Sequence, residues 1–229
     1  LTGVPLPEDP LEPERLAAMA ATLALRHVVV TSVTRDDLQD GGAAQFARTV
    51  LELRKAVPLA ALELLVPDFG GAPGPLATIL DSGPDVLNHN IETVKELYQS
   101  VRPRADYARS LRLLSDAASA AVRSDRGITI KSGMMVGLGE TRGQIDRCLH
   151  DLADAGVKSV TIGQYLRPRR GNIPVTRYYD PAEFEELAAS AAELGFGSVF
   201  SAPLVRSSYH AGERSLQNME DRSADAQTG

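Results

Sequence analysis

The 229-residue sequence contains a single cysteine, Cys148. That excludes an intramolecular disulfide and any metal cage built only from this chain's thiolates. No apolar run approaches the ~18 residues of a membrane-spanning helix, so no membrane partner is expected. A basic excess is also missing: 24 Lys and Arg stand against 30 Asp and Glu, for a net charge of −6. A broad duplex footprint is thereby disfavoured and no nucleic-acid partner is expected, although a local basic pocket stays open. There is no secretory signal pattern, and the expected compartment is cytoplasmic. Neither a Gly-x-Ser-x-Gly elbow nor a complete phosphate-loop motif occurs. The first residue is Leu1 rather than Met, which raises the expectation of a start within a longer protein.

What is present is an alternation of short apolar runs and longer helical patterns. With 43% hydrophobic and 24% charged residues, the composition is that of a globular chain of one large or two small domains. Leu16, Met19, Leu23 and Leu25 give helical spacing, with Pro13 at the helix start. Strands are predicted at 28–33, 62–66, 85–88, 128–136 (interrupted by Gly133) and 157–162, with a further short one at 198–204. Helices are predicted near 43–56, 76–80, 93–101, 109–122 and 141–155, and one opens at Asp180-Pro181. Such βα alternation means a parallel sheet. Both a doubly wound sheet and a βα barrel fit it. Polar clusters follow at least five different strands, which favours a partial barrel, whose site residues gather at strand ends. The expected organisation is an arriving loop (1–13), the barrel (14–211) and a loose tail (212–229).

The polar clusters admit more than one reading. Asp36, Asp37 and Asp40 beside Gly41-Gly42 are either a helix cap with an exposed loop or a strand end that recognises a cationic group. Asn88, His89, Asn90 and Glu92 crowd one strand end. Burying each without a partner would cost about 1–3 kcal/mol, so they cap the chain, face water or bind something. Lys131-Ser132-Gly133 leads to Gly137-Leu138-Gly139-Glu140-Thr141, either a weak phosphate cradle or a turn and helix cap. Gln164 could reach inward for a ligand. Arg167, Arg169 and Arg170 form a basic patch that is either a solvated loop or a grip on an acidic partner protein or a carboxylate. His210 lies close in sequence to Ser207 and Ser208, which by itself does not make a nucleophile–base pair. Cys148, inside a predicted helix, has nothing beside it to activate a thiolate.

Taken together, several blocks resemble the lipoyl synthase family of radical S-adenosylmethionine enzymes. They are HVVVTSVTRDDL (His27–Leu38), ELLVPDFG (Glu63–Gly70), NHNIETV (Asn88–Val94) and KSGMMVGLGET (Lys131–Thr141). TIGQYLRP (Thr161–Pro168) and PLVRSSYHA (Pro203–Ala211) complete them, in family order over nearly the whole chain. The resemblance implies an α/β fold, a partial six-stranded parallel barrel whose first strand precedes this chain. It implies S-adenosylmethionine and two [4Fe–4S] clusters as cofactors, one cleaving S-adenosylmethionine to a radical and the auxiliary one donating sulfur. The implied reaction inserts two sulfurs, at C6 and C8 of a protein-bound octanoyl-lysine. The implied partners are an electron donor and octanoylated lipoyl-carrier domains, either the glycine-cleavage H protein or 2-oxoacid dehydrogenase acyltransferase subunits. Asn88, Asn90, Glu92, Lys131, Gln164, Asp36 and Asp37 become pocket candidates, and Ser208 an iron ligand of the auxiliary cluster, in a loop shaped by Arg206 and Ser207.

The sequence departs from that family in two places. The family's two cysteine runs precede the matching blocks, and none of their six cysteines is present here. The expectation is a lipoyl synthase whose N-terminal segment is not in this chain, so that the chain alone is inactive. The alternative is a degenerate paralogue that binds S-adenosylmethionine or an acylated carrier without radical catalysis. The second departure is Arg169-Arg170-Gly171-Asn172, where the family often places a histidine.

Overall fold

The structure, a computed structural model, describes residues 5–124, 127–206 and 208. Its α/β architecture is one six-stranded sheet in the order β1-β2-β3-β4-β5-β6, sequential strands lying side by side. The described residues divide into two compact units, one ending at Leu87 and one beginning at Asn88.

In the first unit, helix α1 (Glu12–Thr22) precedes strand β1 (His27–Thr31), and helix α2 (Ala43–Ala56) leads to strand β2 (Ala61–Leu65). Helix α3 (Pro73–Asp81) then leads into strand β3 (Val86–Asn88). β1 and β2 pair in parallel with Val29 opposite Glu63. The core is Phe46, Val50 and Leu53 of α2 against the apolar residues Leu62 and Leu64 of β2 and Ile79 of α3, all buried. Pro13 sits in the first turn of α1, where a missing N–H costs nothing. The helix turns a small-residue face inward: Pro13, Ala17 and Ala20 are buried, whereas Leu16, Met19 and Leu23 stay 42–59% exposed. Alanine lets α1 approach α2 closely, and so the large side chains that gave the helical spacing lie outside that contact.

The second unit continues through helices α4 (Tyr98–Val101) and α5 (Tyr107–Ser124), strand β4 (Thr129–Val136) and helix α6 (Arg142–Asp154). Strand β5 (Ser159–Gln164), helix α7 (Pro181–Glu193) and strand β6 (Ser198–Ala202) follow. β5 is parallel to both neighbours, with Lys131 opposite Ser159 and Val136 opposite Gln164 on one side and Ser159 opposite Ser198 on the other. Helix α6 starts where Thr141 and Gln144 cap each other, the Gln144 N–H donating to Thr141 Oγ1 at 3.3 Å and the Thr141 N–H to Gln144 Oε1 at 2.7 Å. It stops at Gly156, whose φ of +82° suits glycine. No helix among the described residues is long and apolar enough to cross a membrane.

One expectation changes, and one open alternative closes. β4 is not broken at Gly133 but runs through it as one eight-residue strand, because a residue without a side chain is needed there to admit its neighbours' polar groups. The glycine-rich turn after β4 is not an open anion cradle. The N–H groups of Gly137 and Leu138 donate to the two carboxylate oxygens of Glu140, at 2.7 and 2.9 Å. The anion that fills the turn is the protein's own.

Gly137 carries this turn at φ +103°, and a Cβ there would collide with Gln164 Nε2 and lie 2.6 Å from the Arg177 carbonyl oxygen. Gly137→Ala should therefore lower unfolding stability by about 2–3 kcal/mol, read from the urea midpoint followed by circular dichroism. An unchanged midpoint would mean that the turn yields at little cost.

Candidate functional site

The polar row begins where β3 ends. Beyond Asn88 the chain stays extended and is stapled to β4 by one hydroxyl. Ser132 Oγ donates to the His89 carbonyl at 2.8 Å and accepts from the Ile91 N–H at 3.1 Å. The His89 N–H donates to the Lys131 carbonyl, the Glu92 N–H to the Gly133 carbonyl, and the Met135 N–H to the Glu92 carbonyl, at 2.8–3.1 Å. Tyr98 Oη caps the Ile91 carbonyl at 2.7 Å. Every peptide thus held is buried with a partner, as burial demands. Glu92 adopts φ +68°, a conformation that a residue with a side chain takes only when its surroundings enforce it.

Strand alternation sorts the side chains onto two faces. A Cβ at Gly133 would lie 2.5 Å from Thr161 Oγ1 and 2.8 Å from Asn90 Oδ1, so these two polar groups meet over the bare backbone of β4. Lys131, two residues earlier, belongs to the same face, and Asn88 shares that face with Asn90. Asn88 and Lys131 are 0% and 3% exposed. His89 and Ser132 belong to the opposite face, where His89 Nε2 lies 3.0 Å from Ser110 Oγ on α5. His89 thus anchors the loop from the helix side.

Asn90 Nδ2 approaches Glu92 Oε1 at 3.4 Å, and Arg102 Nη1 lies 3.5 Å from the Asn90 carbonyl oxygen. Burial pushes the Glu92 carboxyl above the usual carboxylate range, with Arg102 and Asn90 pulling it back. The structure therefore brings Asn88, Asn90, Glu92 and Lys131 together, and adds Thr161, marked in the sequence only as the first residue of the block TIGQYLRP.

The other candidates are placed differently. Gln164 is buried with its amide engaged: Nε2 donates to the Tyr165 and Arg177 carbonyls, each at 3.1 Å, and Oε1 accepts from the Tyr179 N–H at 3.0 Å. Asp36 and Asp37 belong to the first unit and are exposed there. Asp37 forms a two-pronged pair with Arg35, at 2.9 and 2.7 Å, which holds its carboxyl below the usual range. Asp40 caps α2, accepting from the Gly42 and Ala44 N–H groups at 2.9 and 2.8 Å. Ser208 is exposed in a turn, and Arg206 beside it donates to the Val205 carbonyl at 2.7 Å. Ser207 and His210 lie outside the described residues, as do residues 1–4 of the arriving loop and the whole 212–229 tail.

One buried acid was not singled out in the sequence. Glu63, in the middle of β2, is 1% exposed, with His27 Nε2 3.8 Å from its Oε2. The signal was there, a charge inside an apolar strand, ALELL.

The residues do not fit an iron–sulfur cluster. Among the described residues no group of three or more His, Cys, Asp or Glu could hold a metal ion. Cys148 is buried in α6, and burial pushes its thiol up to about 12. A cluster is held by several convergent, deprotonated thiolates. The amide of Asn90 and the hydroxyl of Thr161 over Gly133, with the Glu92 carboxyl beside them, are groups that hydrogen-bond hydroxyl and ammonium groups.

Two predictions follow from this geometry. Cys148 should resist Ellman's reagent in the folded protein at about pH 8 and react fully after denaturation. Rapid labelling of the native thiol would contradict its placement. The second concerns Glu92. Its pKa is raised on folding, so folding favours the protonated acid. That contribution is complete below the unfolded carboxylate value and is lost as pH rises through the raised one. Glu92→Gln should remove this loss. Calorimetry between about pH 4 and 8 should show its melting temperature gaining on the wild type as pH rises, whereas parallel curves would sink the assignment.

Residues 3–152 match the Radical SAM superfamily. The chain is 53% identical over 213 residues to the lipoyl synthase of Methylococcus capsulatus, covering 93% of this chain and 65% of that protein. It is 50% identical over 231 residues to the lipoyl synthase of Symbiobacterium thermophilum, covering 100% of this chain and 71% of that one. The chain thus spans about two thirds of the length of these relatives. Among solved structures, methylornithine synthase superposes with a TM-score of 0.60 at 12% identity, over 97% of this chain and 77% of that one, a likeness of fold. The fold is accordingly the six-stranded parallel α/β architecture of radical SAM barrels. With half or more of its residues identical to these relatives over almost its whole length, the chain belongs to the lipoyl synthase family of the Radical SAM superfamily.

Proposed function

We propose that this chain is the binding barrel of a lipoyl synthase. It holds S-adenosylmethionine and the acyl chain of an octanoylated carrier domain, and by itself it binds them without radical catalysis. The observation that carries the reading is the polar row at the C-terminal end of β3, where Asn88 and Lys131 are buried and Asn90 and Glu92 half-buried beside β4, in a member of this family. Sites of βα folds lie at that end. Asn90 and Glu92 offer an amide and a carboxyl side by side, suited to ribose hydroxyls or an ammonium group. Thr93 Oγ1 is buried with no hydrogen-bond partner among the described residues, a further unused polar group in the same segment.

In the full family reaction, S-adenosylmethionine supplies the radical that abstracts hydrogen from the octanoyl chain. The contribution of this chain's own residues is position. A reactive primary carbon radical is useful only when held in contact with its target and away from water. The segment from His89 to Glu92, tied to β4 through the peptides of His89, Ile91 and Glu92, gives that precision. The finer reading adds insertion of two sulfurs at C6 and C8 of octanoyl-lysine, with two [4Fe–4S] clusters, Ser208 as an iron ligand and an electron donor. One cysteine in the sequence does not furnish the thiolates for this, which favours binding as this chain's own activity. Gln164 supports the loop after β5.

The test is calorimetric titration of S-adenosylmethionine into the purified chain. Binding is expected, with Asn90→Ala weakening it about tenfold or more, the loss expected for a buried hydrogen bond to a charged or polar ligand. A dithionite-reduced mixture should yield no 5′-deoxyadenosine. Absence of binding, or equal binding by the variant, would overturn the site, and formation of deoxyadenosine would overturn the restriction to binding.

A further inference from the structure

The segment between β5 and α7 is a long loop that is firmly held at its base and bare at its tip. At the base, the Tyr165 N–H donates to the Val136 carbonyl and the Thr176 N–H to the Gly137 carbonyl, both at 2.8 Å. Tyr165 Oη donates to the Ile173 carbonyl at 2.9 Å, the Gln164 amide holds Arg177 and Tyr179, and Tyr179 Oη donates to Glu140 at 2.9 Å. At the tip, Leu166 through Asn172 are all exposed. Arg167 folds this tip, its Nε donating to the Asn172 carbonyl at 2.8 Å and its Nη2 to the Arg170 carbonyl. Arg169 and Arg170 are left outward, and neither forms an ion pair with a carboxylate among the described residues, in contrast to Arg177, which pairs with Glu183.

Two adjacent unneutralised guanidinium groups on an ordered tip are unusual in a chain whose net charge is −6. Their place is specific. β4 is flanked at successive positions by the two segments in question, since the Met135 N–H donates to the Glu92 carbonyl and the Tyr165 N–H to the Val136 carbonyl. The arginine tip therefore rises from the same end of the sheet as the polar row.

We infer that Arg169 and Arg170 are the docking surface for the carrier domain, and that the carrier face presenting its acyl-lysine is acidic. The inference rests on the binding function proposed above. An acylated lysine has lost its ammonium charge, so its neighbourhood offers no cation of its own to oppose such an approach. Guanidinium groups match carboxylates two bonds at a time. The net negative charge of the chain repels an acidic partner in most orientations, and the positive tip favours the one that brings the acyl chain to the strand ends.

The experiment measures the affinity of the full chain for an octanoylated H-protein domain at low and high salt, by calorimetry. The same is done with a short octanoyl-lysine peptide with uncharged flanks and with a single-stranded RNA 20-mer. The variants are R169E/R170E and, as a charge-matched control at two exposed arginines of α5, R112E/R123E. The expected result is carrier binding that weakens with salt and falls about tenfold or more in R169E/R170E but not in R112E/R123E, with the peptide bound equally by all three. Equal carrier affinity of R169E/R170E and wild type would overturn the docking assignment while leaving the binding function intact. Binding of RNA in preference to the carrier would overturn it in favour of a nucleic-acid partner. Failure of the wild type to bind either carrier or peptide would instead overturn the proposed function itself.

Discussion

The hydroxyl of Ser132 joins the chain after β3 to β4, and the polar row depends on that one link. It acts as donor to one carbonyl and acceptor from an N–H two residues on. That double role lets the segment from His89 to Glu92 run alongside β4 without being a regular strand. The peptide groups beyond it then fall into place along β4, ending with Glu92 bridged to Met134. Without the hydroxyl, a buried carbonyl and a buried N–H would both lose their partner, at about 1–3 kcal/mol each. The strained backbone of Glu92 is tolerable only because this fixed ladder surrounds it.

Gly133 complements Ser132. The serine ties the backbone on one face, and the glycine clears the other for Asn90 and Thr161. Adjacent residues on a strand point in opposite directions, so one dipeptide builds both the anchor and the polar floor. His89 completes the anchor through Ser110 on α5, which couples the packing of a helix to the placement of the amide and carboxyl on the far face.

Much of this was legible in the residues. Runs rich in β-branched and aliphatic side chains marked the strands, and Thr141 with Gln144 and Asp180-Pro181 marked helix starts. The crowding of Asn88, His89, Asn90 and Glu92 pointed to a strand end under tension between burial and polarity, which is what the structure contains. What stayed hidden depended on tertiary partners. Gly133 read as a break because periodicity cannot see the side chains of Asn90 and Thr161 converging from neighbouring strands. The Gly137–Thr141 turn read equally as a cradle because nothing local says that Glu140 folds back onto its own N–H groups. Helix α1 was plain, but its inward face was not, since a close helix contact selects alanine over leucine.

Charge and sulfur set the remaining constraint. A single buried thiol, pushed up to about 12 by its surroundings, is as poor a metal ligand as a cysteine can be. In the function proposed above, this chain's own contribution is geometric: a floor of polar groups beside β4 and an edge that meets the partner. Both are served by the same end of the sheet. The floor is low in net charge and sheltered, which suits a ligand that must be fixed. The tip is charged and exposed, which in the proposed docking suits a macromolecular partner that arrives and leaves. Exposed ion pairs are each weak and screened by salt. Under the docking proposed above that weakness lets the partner depart, whereas the sheltered polar row gains strength from the low dielectric around it.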